Sequence, residues 1–349
     1  MTRFTKGQLH QLKHHFFADV PNPDKVTYGQ SDGHYFTAEF ALIIGLTYAA
    51  NGSKYSMMTN TFGGNHCAYC KPICWFLQSF LHDKYFNRIS GHSMEFWVVD
   101  DPQAIRFRKA LFYHICYGQT ENGMTENLFN ITFDEFRLMG FVDCKQERTS
   151  VPGSGPINED NDRREGADGL QRAYFSSYGK KHGMKTQVVL LPNGMVGHAF
   201  VTPIAQNDKG VMNISGLEEH LAQILQPLDG TFLLPALYAD DIYDPSGVLV
   251  KRGRPEDDEK AYFLRCNAAR EKIEHEFGAW WNLWKLPRHT ESFKLLQSGK
   301  AIPKKYLTLY FLMNCHTCLN GNNTSSTFQC DAPSLDVYLG GQLHPYDEN

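Results

Sequence analysis

The chain has no uninterrupted apolar run of the roughly 18 residues that a membrane-spanning helix needs. Its N-terminus, from Met1 to Lys6, lacks the layout of a secretion signal, in which a charged stretch precedes an apolar one. It also shows no internal repeat. These absences predict an intracellular globular protein with no membrane anchor.

An excess of positive charge is also missing, because the formal net charge is −4. A protein that coats nucleic acid through bulk charge needs a surplus of cations, since non-specific phosphate binding scales with the cations presented. Any contact with DNA must therefore be local or shared with a partner protein. A cluster of acidic side chains in a metal site would also lower the total charge.

The nine cysteines are odd in number, which argues against a complete disulfide frame. Most of them, such as Cys116 and Cys315, lie in apolar segments, where reduced cysteine behaves as a small buried hydrophobe. Zinc remains an alternative, since thiolate pairs at short spacing suit a tetrahedral ion. The two candidate zinc groups are His66, Cys67, Cys70 and Cys74, and Cys315, Cys318 and Cys330.

Residues 1–132 are predicted to form an N-terminal helical region. Apolar residues at helical spacing predict helices at 37–50 and 55–61 and a third from Asn65 onward, which together form a candidate helix-turn-helix. The third helix carries few cations, which favours a packing role over DNA reading. Pro72 is expected to kink it unless that residue lies in the first turn.

Residues 133–312 are predicted to form an α/β domain, and residues 313–349 a C-terminal helix and polar tail. A polar, Gly-rich and Pro-rich exposed loop is expected at 152–169. The order strand, strand, strand, helix, strand, helix indicates a mixed sheet in which a hairpin precedes the crossover helix. The predicted strands are 138–144, 186–191, 198–204 and 234–240, and the predicted helices are 102–117, 214–225 and 260–284.

Three acidic residues stand where a metal site is expected. Asp143 and Asp240 end predicted strands, and Glu274 lies on the polar shoulder of the longest predicted helix. Converging carboxylates supply the hard oxygen ligands that Mg²⁺ and Mn²⁺ prefer, and a pair of such ions catalyses phosphodiester cleavage.

Each acid also has a structural alternative. Asp143 is equally suited to forming a turn after its strand, and Asp241 and Asp244 compete with Asp240 for the same role. Glu274 fits a surface ion pair with Arg270, one helical turn earlier. Spacing alone therefore does not decide between a nuclease site and these roles.

A family resemblance bears on this choice. The run from Arg270 to Gly278, which includes Ile273, Glu274 and Phe277, resembles the R-x-x-[VI]-E-x-x-F-G signature of PIF/Harbinger transposases and of the domesticated nucleases derived from them. The segment around Asp240 resembles the family's G-D-S-G-Y segment and selects this acid over Asp241. The likeness covers about residues 37–319 and is strongest from residue 140 onward. Further matches are Gly140-Phe141-Val142-Asp143, Leu191-Pro192-Asn193-Gly194, Asn207-Asp208 and Met313-Asn314.

The resemblance implies an RNase H-like catalytic domain that uses Mg²⁺ or Mn²⁺, as two ions, held by Asp143, Asp240 and Glu274. The implied reaction is cleavage at transposon ends, followed by joining of the freed 3′-hydroxyl to target DNA. The implied partners are double-stranded DNA, a Myb-like DNA-binding protein and a second copy in a homodimer, with the nucleus as location. The expected DNA contacts are Lys180, Lys181, Lys185 and Arg270.

One departure from the family pattern follows the first acid. Cys144, Lys145 and Gln146 stand where the family has Gly-Thr-His, and this change leaves a second interpretation open. In that interpretation the chain is a domesticated, catalytically inactive relative that binds DNA or chromatin. Asp208 is expected to lie behind the metal ligands rather than among them.

Overall fold

A computed structural model describes the chain in ten ranges. These are residues 2–27, 35–52, 54–65, 67–98, 101–119, 125–150, 171–228, 232–251, 259–288 and 301–340. The expected exposed loop at 152–169 lies outside the described residues, and so does His66 of one candidate zinc group.

The N-terminal part of the chain is mainly helical. A two-stranded antiparallel hairpin, β1 (Tyr117–Gln119) and β2 (Thr125–Asn127), ends it. Its helices are α1 (Lys6–Phe17), α2 (Ala38–Asn51), α3 (Tyr55–Phe62), α4 (Cys67–Cys74), α5 (Leu81–Tyr85), α6 (Glu95–Val98) and α7 (Asp101–Cys116).

The rest of the chain alternates strands and helices. Its strands are β3 (Leu138–Arg148), β4 (Phe175–Ser176), β5 (Lys181–Leu190), β6 (Val196–Pro203), β7 (Ala236–Ala239) and β8 (Leu249–Val250). Its helices are α8 (Asp208–Ser215), α9 (Leu217–Ile224), α10 (Lys260–Leu283), α11 (Ala301–Asn320), α12 (Asn323–Phe328) and α13 (Leu335–Gly340).

The large sheet is mixed and has β3 at its centre. On one side β3 pairs antiparallel with β5, which pairs antiparallel with β6, and on the other it pairs parallel with β7, which pairs parallel with β8. The predicted order of elements is thereby confirmed: a hairpin precedes the crossover helices, and a parallel strand and the long helix follow. The fold is mixed α/β with a mixed sheet.

The helix predicted at 214–225 is present as α9 (Leu217–Ile224), and it is preceded by α8 (Asp208–Ser215), which was not predicted. Gly216 separates α8 from α9 with a backbone φ of 63°, a left-handed conformation that favours glycine. Asn207 caps α8, since its side chain accepts a hydrogen bond of 2.7 Å from the Gly210 amide.

The three N-terminal helices predicted from the apolar pattern are present. Pro72 lies inside α4, and after α4 the chain continues as a π-helical segment (Trp75–Phe80). The apolar side chains at helical spacing in this region form a stripe that faces inward. The π-helical segment packs against α2 and α11. The buried members of the stripe are Ile73, Phe76, Leu77 and Leu81.

Helix α11 fixes the edge strand β6 through one buried amide. Asn314 accepts a hydrogen bond of 2.8 Å from the Val196 amide and donates one of 2.8 Å to the Val196 carbonyl. Its amide nitrogen also lies 3.0 Å from the Tyr338 hydroxyl. The expected domain boundary at residue 313 therefore falls within a helix that packs on the sheet, and not between two units.

None of the helices in the described ranges is long and apolar enough to cross a membrane.

We predict that Asn314→Ala lowers the free energy of unfolding by about 2–4 kcal/mol, because it leaves both Val196 backbone groups buried without their partner. Denaturant unfolding followed by circular dichroism measures the change. The matched control is Asn320→Ala on the exposed end of the same helix, with an expected effect within about 0.5 kcal/mol. Equal effects of the two variants would contradict the role given to Asn314.

Candidate active site

Asp240 directly follows β7, as predicted, whereas Asp143 lies within β3, because this strand continues to Arg148 instead of ending near residue 144 as the sequence pattern predicted. Val142 of β3 is paired with Ala239 of β7, so Asp143 and Asp240 are the next residues along the two strands at the same edge. Adjacent strands lie about 4.8 Å apart. The carboxyl ends of parallel strands are where α/β sheets bind ligands. Asp143 is largely buried, whereas Asp240 is exposed.

The third acid is connected to the first through an arginine. Arg270 of α10 lies with its Nη1 3.1 Å from Asp143 Oδ2 and its Nη2 3.5 Å from Glu274 Oε1. Its guanidinium is largely buried, whereas the Glu274 side chain is 59% exposed. The positively charged guanidinium of Arg270 thus lies between the carboxylates of Asp143 and Glu274.

The residues around Glu274 explain why α10 takes this position. Ile273 and Phe277 are buried and anchor the helix, which packs against β3 and β7. The Tyr238 hydroxyl on β7 donates a hydrogen bond of 3.0 Å to Asn267 Oδ1. With Ile273 and Phe277 turned inward, Glu274 is directed toward solvent at the edge where Asp143 lies.

The pKa of Asp143 is raised to about 6, because burial disfavours its charged form. The Cys144 amide, which donates a hydrogen bond of 2.7 Å to Asp143 Oδ1, and the Arg270 charge lower it, whereas the charges of Asp240 and Asp208 raise it further. Asp240, rather than Asp241, is the strand-end acid whose charge acts on Asp143.

The expected basic residues occupy different environments. Lys180 is exposed and Lys181 is half-buried, so both are available to a phosphate backbone. Lys185 is buried and forms an ion pair of 2.6 Å with Asp208, the first residue of α8. Arg270 is engaged by two carboxylates. Of the four predicted DNA contacts, two therefore offer accessible side chains and two are held by acids.

The residues that depart from the family pattern are integrated into the fold. Cys144 Sγ accepts a hydrogen bond of 3.2 Å from the hydroxyl of Tyr243, which is buried. Lys145 Nζ donates to the Phe277 carbonyl at 3.1 Å and lies over the Trp281 ring, 4.9 Å from its centroid. These side chains connect β3 to the β7–β8 segment and to α10.

A buried acid that no sequence pattern indicated, Glu147, lies further along β3. Its Oε1 accepts a hydrogen bond of 2.8 Å from Trp281 Nε1 and lies 3.8 Å from Lys145 Nζ. Burial raises the pKa of Glu147 to about 7, while Lys145 and the Trp281 hydrogen bond lower it. Glu147 lies beside the site without being exposed to it.

The three predicted acids do not converge closely enough to share one ion in this conformation. In the part of the chain that the structure describes, one set of three His, Cys, Asp or Glu side chains has ligand atoms within 4.8 Å of one another. That set is His92, Glu95 and His220, which sequence reasoning missed because His220 is distant in the chain. No such set of the described residues includes a member of either candidate zinc group of cysteines.

Comparisons of the chain with protein-family models, with curated proteins and with solved structures found no match.

We predict that Glu147→Gln makes the chain more stable at neutral pH and changes its pH dependence. The folded-state pKa of Glu147, about 7, exceeds its ordinary value of 4.5, so the contribution of this group to the free energy of unfolding is present below pH 4.5 and is lost as pH rises through 7. The stability of the wild type relative to the variant should fall by about 3 kcal/mol across that window.

Urea unfolding at intervals between pH 4.5 and 8 measures this difference. The control variant is Glu271→Gln, which changes an exposed glutamate on α10. A difference between wild type and Glu147→Gln that stays constant with pH would refute the assignment.

Proposed function

We propose that this chain is a metal-dependent DNA endonuclease and strand transferase of the DDE type, with an RNase H-like catalytic domain. The observation that carries the proposal is the placement of Asp143 and Asp240 after paired residues of adjacent parallel strands. Glu274 is joined to Asp143 through Arg270 on the helix that covers this edge. The proposed substrates are the inverted repeats of a transposon and a target duplex.

The topology of the sheet supports the proposal. An RNase H-like domain is expected to have a mixed sheet in which an antiparallel hairpin precedes a crossover to a parallel strand. Strands β3, β5 and β6 form the antiparallel part, and α8 and α9 lead to β7, which pairs parallel with β3. The long helix α10 then carries the third acid.

The donor set fits Mg²⁺ or Mn²⁺. Asp143, Asp240 and Glu274 offer carboxylate oxygens, the hard ligands that these ions prefer, and Asp240 and Glu274 are exposed at the edge of the sheet. Burial is the largest cause of the raised pKa of Asp143, and the charges of Asp240 and Asp208 raise this pKa further, so a bound cation would favour the charged form of Asp143. Bound ions would supply activation of water and stabilisation of the leaving 3′-oxygen.

The side chains of this chain would orient the reacting groups. Arg270 would hold Asp143 and Glu274 in position through its two ion pairs. Lys180 and Lys181 would contact phosphates and fix the register of the duplex without reading its bases. In the first step water attacks phosphorus and the bond to the 3′-oxygen breaks. In the second the freed 3′-hydroxyl attacks a target phosphodiester, a new P–O bond forms as the bond to the target's own 3′-oxygen breaks, and that oxygen leaves as a hydroxyl group after taking up a proton.

A second candidate function is a domesticated relative that binds DNA or chromatin without cutting it. The observation that favours it is the engagement of Arg270 by both Asp143 and Glu274, together with the replacement of the residues after Asp143. In such a protein the ion pairs would stabilise the sheet edge permanently.

The net charge of −4 and the small number of accessible cations at the site favour recruitment to DNA by a second protein. The proposed partner is a Myb-like DNA-binding protein, and the proposed location is the nucleus. Formation of a homodimer would bring two sites to the two transposon ends.

We predict that the wild type nicks a repeat-ended duplex in the presence of Mg²⁺ and its partner, and that Asp240→Ala slows nicking on the order of 10²–10³-fold. Loss of one carboxylate removes a ligand whose charge stabilises the ions during cleavage. The readout is strand cleavage on a denaturing gel with a labelled duplex.

Asp241→Ala is the matched control, because it removes the neighbouring exposed acid and should cut like the wild type. Equal rates for Asp240→Ala and the wild type would show that the site is wrongly assigned. If the wild type binds the duplex but does not cut it, with the partner and either metal present, the second candidate function would instead be established.

A further inference from the structure

We propose that His92, Glu95 and His220 form a binding site for a divalent transition-metal ion, with Zn²⁺ as the ion that suits this ligand set. The site is separate from the three acids of the proposed nuclease and does not depend on that function. It lies between the turn that precedes α6 and the crossover helix α9.

The ligand atoms are already close together. His92 Nδ1 lies 3.2 Å from Glu95 Oε1, and His220 Nε2 lies 3.9 Å from the same oxygen. All three ligand atoms lie within 4.8 Å of one another. A tetrahedral zinc ion with bonds of about 2.0–2.1 Å places its ligand atoms about 3.3 Å apart. Side-chain rotations alone can therefore bring the three atoms to that spacing.

The inner ligand is a buried imidazole nitrogen without a hydrogen bond. The His220 side chain is only 10% exposed, and its Nε2 has no hydrogen-bond partner among the described residues. A buried polar atom of this kind is costly unless something binds it. Since Nε2 is directed toward the Glu95 carboxylate, a cation between them would satisfy both groups.

Histidine must be neutral to bind a metal, and the surroundings of His220 favour that form. Burial is the largest cause of its lowered pKa, the nearby His92 lowers it further, and Glu95 partly opposes them. The two imidazole rings lie with their centroids 4.4 Å apart. A metal ion bound by both nitrogens would hold neutral rings at this separation without repulsion.

The segment that carries the other two ligands, His92 in the turn before α6 and Glu95 at the start of α6, is fixed to the sheet. The Ala199 amide on β6 donates a hydrogen bond of 2.6 Å to the Ile89 carbonyl, and Ser93 Oγ shares one of 3.2 Å with the buried His198 Nδ1. His92 and Glu95 are therefore presented from a rigid segment. Their side chains are 74% and 48% exposed, which leaves solvent access for the ion and for a water ligand.

Two nitrogens and one carboxylate oxygen point to a particular class of ion. Imidazole ligands suit zinc and other late first-row metals, whereas Mg²⁺ prefers an all-oxygen set. Three protein ligands with a fourth, solvent-filled position are a common zinc arrangement. The ion would connect the N-terminal helical region to α9 and stabilise the folded chain.

The test is a Zn²⁺ titration of the full chain after removal of bound metal with a chelator, using competition with a metal-sensitive dye. We expect one site whose affinity falls at least about 100-fold in His220→Ala and in Glu95→Gln. Zn²⁺ should also raise the thermal midpoint of the wild type and not that of Glu95→Gln. Glu95 is half exposed, so this variant keeps the test valid should His220→Ala fail to fold.

Two controls separate this site from other zinc ligands. His10→Ala removes an exposed histidine on α1, and the double variant Cys67→Ser, Cys70→Ser removes the exposed thiols on α4. Both should bind Zn²⁺ as the wild type does. Wild-type affinity in Glu95→Gln and in a folded His220→Ala would overturn the proposal. So would loss of the site in the cysteine variant alone, which would place the ion on α4. Co²⁺ in place of Zn²⁺ should give visible absorption bands that Glu95→Gln abolishes.

Discussion

The parallel pairing of β3 with β7 is the constraint on which the rest of the structure depends. Two parallel neighbours cannot be joined by a tight turn, so the chain must leave the sheet and return to the same starting edge. Here it does so through the β5–β6 hairpin strands and then α8 and α9. The same pairing aligns Val142 with Ala239, and consequently brings Asp143 and Asp240 to one edge. A shift of one residue would turn one of these acids to the opposite face of the sheet.

Negative charges that lie close together at that edge are unfavourable, and the positive charge of Arg270 offsets them. Asp143 is largely buried near the charges of Asp240 and Asp208, and ionising it there without a cation is unfavourable. The guanidinium, held by a helix whose apolar face is anchored on the sheet, supplies that cation and also contacts Glu274. This arrangement of one cation between two acids fits both a metal site and a permanent network of ion pairs. What distinguishes them is whether the cation between the acids can be exchanged.

Local sequence patterns predicted most of the elements but not the contacts between them. The turn at Gly194, with a φ of 75°, and the hairpin around it follow from Pro192-Asn193-Gly194, because such turns are specified within a few residues. The break at Gly216 was missed because apolar periodicity continues across it. The Arg270–Asp143 ion pair joins residues 127 positions apart, and His220 reaches Glu95 from another element. Periodicity contains no information on such pairs. The predicted positions of the acids suggested a metal site, the family resemblance chose among the alternatives, and only the fold indicated the His and Glu cluster.

The crossover between β6 and β7 links the two candidate metal sites. Helices α8 and α9 have eight residues each, too short to be stable without tertiary contacts. The first residue of α8, Asp208, is held by Lys185 beside Asp143, whereas α9 contributes His220 to the cluster at the turn before α6. With Gly216 as the junction, each helix is anchored at a different place. An ion at His92, Glu95 and His220 would therefore restrict α9, and through the junction it would limit the positions available to Asp208 at the acidic edge.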